Sequence, residues 1–277
     1  MVDGECAAVC PACRAPLARR ALRQDASGGN GSPGEGVVDL HIGGLRAVVS
    51  GGAGGIGAAV VRTLEAEGAV VAVIDRVAVP GRLSVVADVR DEAAVAAAVD
   101  TAAARLGGID LLVCAAGISG PVGTPLGRTS LADWDAVMAV NVTGTFLTLR
   151  SALPWLAASA QAAVVIVASD SAFVATGGMV PYGASKAAAL QLARAAAVEL
   201  QPDGIRVAAV CPSIVDTPMS RGDLDLATGF SDVAYPVQSA DELAGTIVYL
   251  LSPAARAIAG TGIVSDFGFS ARSAFPA

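Results

Sequence analysis

The stretch AVVSGGAGGIGAAVVRTLEAEG, residues 47 to 68, decides the fold. An apolar run suited to a buried strand enters a loop carrying Gly51, Gly55 and Gly57, and an Ala-rich helical run follows at once. A strand, a glycine turn and a helix in immediate succession open a βαβ unit. Glycine lets the turn adopt positive φ, and backbone N–H groups at a helix N-terminus attract an anion. The loop, with Ile56 between its last two glycines, is therefore a candidate cradle for a pyrophosphate. Asp75 ends the next apolar run, VVAVID, eighteen residues after Gly57. A carboxylate there can accept hydrogen bonds from ribose hydroxyls, so the two features together point to a dinucleotide. The same carboxylate would face the 2′-phosphate of NADP, a repulsive contact in a partly buried site, which favours NAD. Arg76, next in the chain, offsets part of that repulsion and keeps NADP open.

The pattern continues outward from this unit. After AVVS come VVAVI (70 to 74), LSVVA (83 to 87), LLVC (111 to 114), VVIVA (164 to 168), IRVAAV (205 to 210) and GIVS (262 to 265), separated by helical stretches. Strands this uniformly apolar are covered on both faces. The expected architecture is a single doubly wound, Rossmann-like α/β domain with a seven-stranded parallel sheet, spanning residues 37 to 277. Residues 1 to 36 read as a flexible N-terminal tail, because ASGGNGSPGEG (26 to 36) is rich in turn residues and lacks hydrophobic periodicity. Cys6, Cys10 and Cys13 in this tail could hold a metal or cluster, with His41 as a distant further ligand, but the favoured reading is a tail without a metal site.

Composition narrows the partners. With 277 residues, 54% hydrophobic and 16% charged, the chain describes a globular protein with an extensive core. A net charge of -7 repels nucleic acid and anionic membrane surfaces, leaving a small molecule as the expected partner. No apolar run reaches the roughly 18 residues needed to cross a bilayer, and the N-terminus lacks a basic segment followed by an apolar one. The expectation is a soluble, cytoplasmic protein, with Cys114 and Cys211 as buried, reduced thiols.

One lysine remains in the chain. The other 17 of the 18 basic residues are arginine, and Lys186 stands in PYGASKAAAL, residues 181 to 190. The strong helix formers that follow put Tyr182 and Lys186 at i and i+4 on one helical face. A phenol titrates near pH 10, and one ammonium about 4 Å away supplies on the order of 4 kcal/mol at an effective dielectric of about 20. That is enough to bring a tyrosine into use as a base near neutrality.

The glycine loop, Tyr182-x-x-x-Lys186 and Ser169 thirteen residues before Tyr182 make the sequence resemble the short-chain dehydrogenase/reductase family from residue 45 to about 268. Further matches are Asn-Val-Thr-Gly at 141 to 144, Asp88-Val89, and Cys-Pro-Ser-Ile-Val-Asp-Thr-Pro at 211 to 218. The resemblance implies an NAD-dependent oxidoreductase of secondary alcohols and ketones. It assigns Tyr182 as the general acid/base and Ser169 as the hydrogen-bond partner of the substrate oxygen. It further implies that Lys186 binds the nicotinamide ribose and lowers the tyrosine pKa, and that Asn141 holds a proton-relay water. Gly51, Gly55, Ile56, Gly57, Asp75, Arg76, Asp88, Val89, Ala116 and Gly117 would bind the cofactor, with Pro212, Val215 and Thr217 against the nicotinamide. Three departures stand out: Ala115 replaces an asparagine, Ser213 a glycine, and Asp266-Phe267-Gly268 an Asp-Gly-Gly ending.

Residues 218 to 240 are expected to recognise the substrate, with Met219, Phe230 and Tyr235 joining Phe173 and Met179 around an apolar pocket, and Arg221 as a possible partner for a carboxylate. The helices Asn141 to Ser159 and Tyr182 to Leu200 would pair subunits into a homotetramer or homodimer, again by resemblance. Three other activities compete: an NADPH-dependent 3-oxoacyl or ketone reductase, a non-catalytic NAD-binding sensor or scaffold, and a metal protein using the tail cysteines. A serine hydrolase is disfavoured because its base would be His41, ahead of the first strand.

Overall fold

A computed structural model of the protein describes residues 39–226 and 228–272; Cys6, Cys10 and Cys13 lie outside them. The compact unit begins at Leu40. Its sheet is built from β1 (Arg46–Ser50), β2 (Val70–Asp75), β3 (Leu83–Val86), β4 (Leu111–Cys114), β5 (Ala163–Val167) and β6 (Arg206–Pro212). The last strand, β9 (Gly262–Ser265), follows a separate pair, β7 (Val215–Asp216) and β8 (Gln238–Ser239). The seven long strands are all parallel in the order β3-β2-β1-β4-β5-β6-β9. The expected sheet is present, and β7 with β8, too short for a periodic signal, is the added feature.

The helices are α1 (Gly55–Ala66), α2 (Glu92–Leu106), α3 (Leu131–Met138), α4 (Thr145–Ala157), α5 (Val180–Leu200), α6 (Pro218–Asp223) and α7 (Ala240–Leu251). Alternation along each strand feeds two cores. Val48 joins one with α2, α4 and α5, while Ala47 and Val49 join the other with α1 and α7. Strand order reverses between β1 and β4, and ligands of doubly wound folds bind at such a switch point, beyond the carboxyl ends of the strands.

One helical stretch carries few charges over a long span. Helix α3, a π-helical turn (Ala139–Gly144) and α4 run on as one stretch, Leu131–Ala157, of 27 residues and mean hydropathy 1.3 in its most apolar part. It is long and apolar enough to cross a membrane by length and composition. Its buried side packs on α2 and α5 as a core helix of the sheet's outer layer.

Candidate active site

The glycine loop is packed where side chains cannot go. Gly51 has φ +72°, and a Cβ there would lie 2.5 Å from the backbone nitrogen of Ala116; a Cβ on Gly57 would lie 2.1 Å from the Gly51 carbonyl oxygen. The loop thus folds onto itself and onto the segment after β4. Helix α1 starts at Gly54 without a side-chain cap, whereas α2, α3 and α7 are capped by Asp91, Ser130 and Ser239. Its first N–H groups are left for an anion. Asp75 Oδ2 accepts the Ala53 N–H at 3.1 Å and Oδ1 the Val77 N–H at 3.3 Å, which holds the carboxylate beside the loop with lone pairs to spare.

From this loop a cleft of about 530 Å³ runs along the carboxyl ends of the strands. Of the residues singled out from the sequence, Gly51, Gly55, Ile56, Gly57, Asp75, Arg76, Asp88, Val89, Ala116, Gly117 and Thr217 line it. Pro212 and Val215 do not: Val215 is buried in the core, and the Pro212 carbonyl faces Ser169. Residues that sequence reasoning missed also line it, among them Ala53, Val77, Arg90 and Ile118. They contribute mainly backbone, or a long side chain reaching back, and neither leaves a residue-type signal. Arg90 donates to both Asp88 oxygens at 2.6 to 3.0 Å and pushes that carboxyl down to about 2, so Asp88 is a paired acid. An uncapped helix end, a glycine cradle with no room for Cβ and a carboxylate one strand away fit a nicotinamide dinucleotide.

Asn141, Ser169, Tyr182 and Lys186 do not line the cleft themselves; Gly117, which does, lies beside two of them. A Cβ on Gly117 would stand 3.3 Å from Asn141 Oδ1 and 3.6 Å from Lys186 Nζ, so the backbone here passes close to both side chains. Asn141 lies in the π-helical turn, a feature that often marks functional positions. Its side chain bridges Ile118, accepting the N–H and donating to the carbonyl, each at 2.9 Å. It also donates to Ser185 Oγ at 2.9 Å, and Ser185 in turn donates to the Tyr182 carbonyl at 2.7 Å. The asparagine side chain is therefore consumed in tying the loop after β4 to α5.

Lys186 is 7% exposed; Nζ donates to the Val167 carbonyl at 3.0 Å and lies 5.6 Å from the centre of the Tyr182 ring. Burial pushes its pKa down to about 8. An ammonium carries three donors, and Val167 takes one of them. Tyr182 behaves differently from the sequence expectation. Burial raises its pKa, a hydrogen bond with Ser169 pulls it down, and the Asp170 and Asp223 carboxylates raise it further. Burial is the largest of these influences, and Lys186 is not among them.

Other expectations are also revised. Arg221 is taken by Asp216, with bonds of 2.6 and 2.9 Å, and does not present a free cation. Met219 lines the cleft, whereas Phe230 and Tyr235 line a separate cavity of about 280 Å³ with Asp216 and Glu242. Asp223, at the end of α6, accepts from Ser119 at 2.7 Å and joins that helix to the loop after β4. At the departures, backbone does the work. The Ala115 N–H donates to Ser50 at 3.0 Å and the Ser213 N–H to Ser265 at 3.1 Å, each extending a strand pair. Phe267 takes φ +55°, the left-handed region that favours glycine, held by the Asp266 carboxylate accepting from the N–H groups of Gly268 and Ser270.

Comparison with known proteins bears on this geometry. A family model described as enoyl-(acyl carrier protein) reductase matches residues 51–270. The chain is 36% identical over 240 residues to cis-4-hydroxycyclohexanecarboxylate dehydrogenase of Sinomonas cyclohexanicum, covering 81% of this chain and 96% of the relative. It is 34% identical over 254 residues to D-threitol dehydrogenase of Mycolicibacterium smegmatis, covering 84% and 95%. Among solved structures, the ligand-free aldohexose dehydrogenase of Thermoplasma acidophilum superposes with a TM-score of 0.79 at 27% identity, covering 87% of this chain and 99% of that one.

Proposed function

Because this chain belongs to the short-chain dehydrogenase/reductase family, we propose that it moves a hydride between NAD(H) and a neutral secondary alcohol or ketone, with Tyr182 exchanging the hydroxyl proton. The observation that carries this reading is Gly117, which lines the cleft that starts at the glycine loop and runs close to Asn141 and Lys186. A bound nicotinamide supplies the hydride donor or acceptor. Every other part of the chemistry falls to the protein. Tyr182 takes the carbinol proton during oxidation and returns it during reduction, and Ser169 bonds the substrate oxygen. Lys186, charged at neutral pH with two donors uncommitted, holds ribose hydroxyls and stabilises negative charge as it develops on the phenol. Asn141 fixes the spacing between the cleft floor and α5, and its carbonyl, which accepts from Thr145 at 2.8 Å, keeps a second lone pair for a relay water.

NAD is favoured over NADP because Asp75 faces the ribose position with its carboxylate held in place. One observation supports NADPH as the second reading: Arg76 lines the same cleft, and no ion pair holds its guanidinium among the described residues. On the substrate side, Arg221 is neutralised by Asp216, and Asp170 and Asp223 lie near the phenol, which disfavours an anionic substrate. Relatives named for a ring alcohol and a sugar alcohol are consistent with hydroxylated substrates. The test is NADH formation across a panel of neutral secondary alcohols. Tyr182→Phe should lower kcat about 100-fold or more while NADH still binds. Tight NADH binding without turnover of any alcohol or ketone would instead favour a sensor.

A further inference from the structure

Helix α6 ends in a carboxylate without a charge partner. Asp223 is its last residue, where a negative charge meets the negative end of the helix dipole. No Arg or Lys pairs with it among the described residues, and Arg221, two residues earlier, is given to Asp216. Oδ1 accepts the Ser119 hydroxyl at 2.7 Å, and Oδ2 accepts no bond among the described residues. Packing alone therefore does not account for an acid at this position. Ser119 directly follows Gly117 and Ile118, which line the cleft, and Met219 on α6 lines it too. The Asp223 charge also acts on the Tyr182 phenol, so the carboxylate lies within electrostatic reach of the reacting oxygen. We propose that Asp223 is a specificity-determining residue that accepts a hydrogen bond from a second hydroxyl of the substrate, so that the enzyme acts on diols and polyols in preference to simple secondary alcohols.

This assignment rests on the oxidoreductase reading above and narrows its substrate class. Tyr182 and Ser169 serve the reacting oxygen, so a hydroxyl on a neighbouring carbon needs an acceptor of its own. A carboxylate is the strong kind, since a hydrogen bond to a charged group is about twice as strong as one between neutral groups. A mono-alcohol leaves Oδ2 against substrate that cannot donate, and the charged acceptor then loses water without a replacement. An ammonium would also donate, but Lys186 already holds a buried positive charge at this centre and would repel a second cation. An anion would meet the charges of Asp170 and Asp223. A neutral polyol meets neither repulsion.

The experiment measures kcat/KM for a vicinal diol, the matching mono-alcohol and the matching amino alcohol in the wild type, Asp223→Ala and Ser119→Ala, with NADH affinity followed separately by fluorescence. The wild type should prefer the diol to the mono-alcohol by about tenfold or more, and Asp223→Ala should lose that preference. Ser119→Ala cuts the tie to α6 but keeps the carboxylate, so there the preference should persist. If Asp223→Ala fails to bind NADH, Asp223→Asn keeps the size and an acceptor oxygen without the charge, and should lower the preference part of the way. A diol preference that is absent from the wild type, or undiminished in an Asp223 variant that binds NADH, overturns the proposal. Equal loss in Asp223→Ala and Ser119→Ala would make Asp223 a structural tie and also overturn it, as would a wild type that favours the amino alcohol over the diol. A wild type that turns over no alcohol overturns the oxidoreductase reading itself, an outcome distinct from an active enzyme with an unmoved ratio.

Discussion

Replacing Lys186 with methionine should make the protein more stable at neutral pH while removing its chemistry. Burial lowers the lysine from 10.5 to about 8, and at about 1.4 kcal/mol per pH unit that difference of roughly 2.5 units means the folded protein carries about 3 kcal/mol of penalty for holding the ammonium. The bond to the Val167 carbonyl is lost in the variant, at a cost of about 1 kcal/mol. A net gain of about 2 kcal/mol remains, or about 4 to 8 °C in Tm for a domain of this size. The pH dependence identifies the cause. The folded pKa lies below the unfolded one, so below about pH 8 both states are charged and the full penalty applies. Between about 8 and 10.5 the folded lysine has released its proton and the unfolded one has not, and wild-type stability recovers relative to the variant. Cys114, which burial raises to about 12, cancels in the difference, whereas Cys211, raised to about 11, loses the neighbouring lysine charge in the variant and moves further up, away from the pH of the assay. Urea unfolding of the two proteins at pH 7 and pH 10 is the assay. A variant less stable than wild type at pH 7, or a difference that does not change with pH, would refute the burial argument.

Two further substitutions test separate parts of the structure. Gly51→Ala adds a Cβ at 2.5 Å from the Ala116 nitrogen in a left-handed conformation, which alone costs about 1 to 2 kcal/mol. It should lower the melting temperature and weaken NADH at least tenfold; an unaltered Kd would show that the loop does not cradle the cofactor. Asp110, held by Arg46 and Ser159, is pushed from 3.8 down to about 2. Its folded pKa is depressed, so its contribution is present above about pH 4 and is lost as pH falls toward 2. Asp110→Asn should therefore lose about 2 kcal/mol in urea unfolding at pH 7 and match the wild type near pH 2.

Much of this was legible from residue order alone. The seven long strands showed because each is apolar on both faces, and the glycine loop because its spacing is forced by contacts a Cβ would break. Tyr182 and Lys186 are set by one helical turn. What stayed hidden depends on how side chains fold back and pack in the finished structure. Arg221 looked like a free cation until Asp216, five residues earlier, was seen to take it. Asp88 lines the cleft, but its pairing with Arg90, which folds back onto it, left no trace in residue order. The upward pull of burial and of Asp170 and Asp223 on Tyr182 was not legible, because these are properties of the packed site. The π-helical turn that aims Asn141 has no composition of its own.

Titration of the purified protein with NADH and with NADPH tests the central claim most directly. Binding can be followed by energy transfer from Trp134 and Trp155 to the reduced nicotinamide. A cleft governed by Asp75 should bind NADH at least about tenfold more tightly, because the 2′-phosphate meets a fixed carboxylate. Tighter binding of NADPH would contradict the assignment of Asp75 and shift selection to Arg76, and binding of neither would contradict the dinucleotide site altogether.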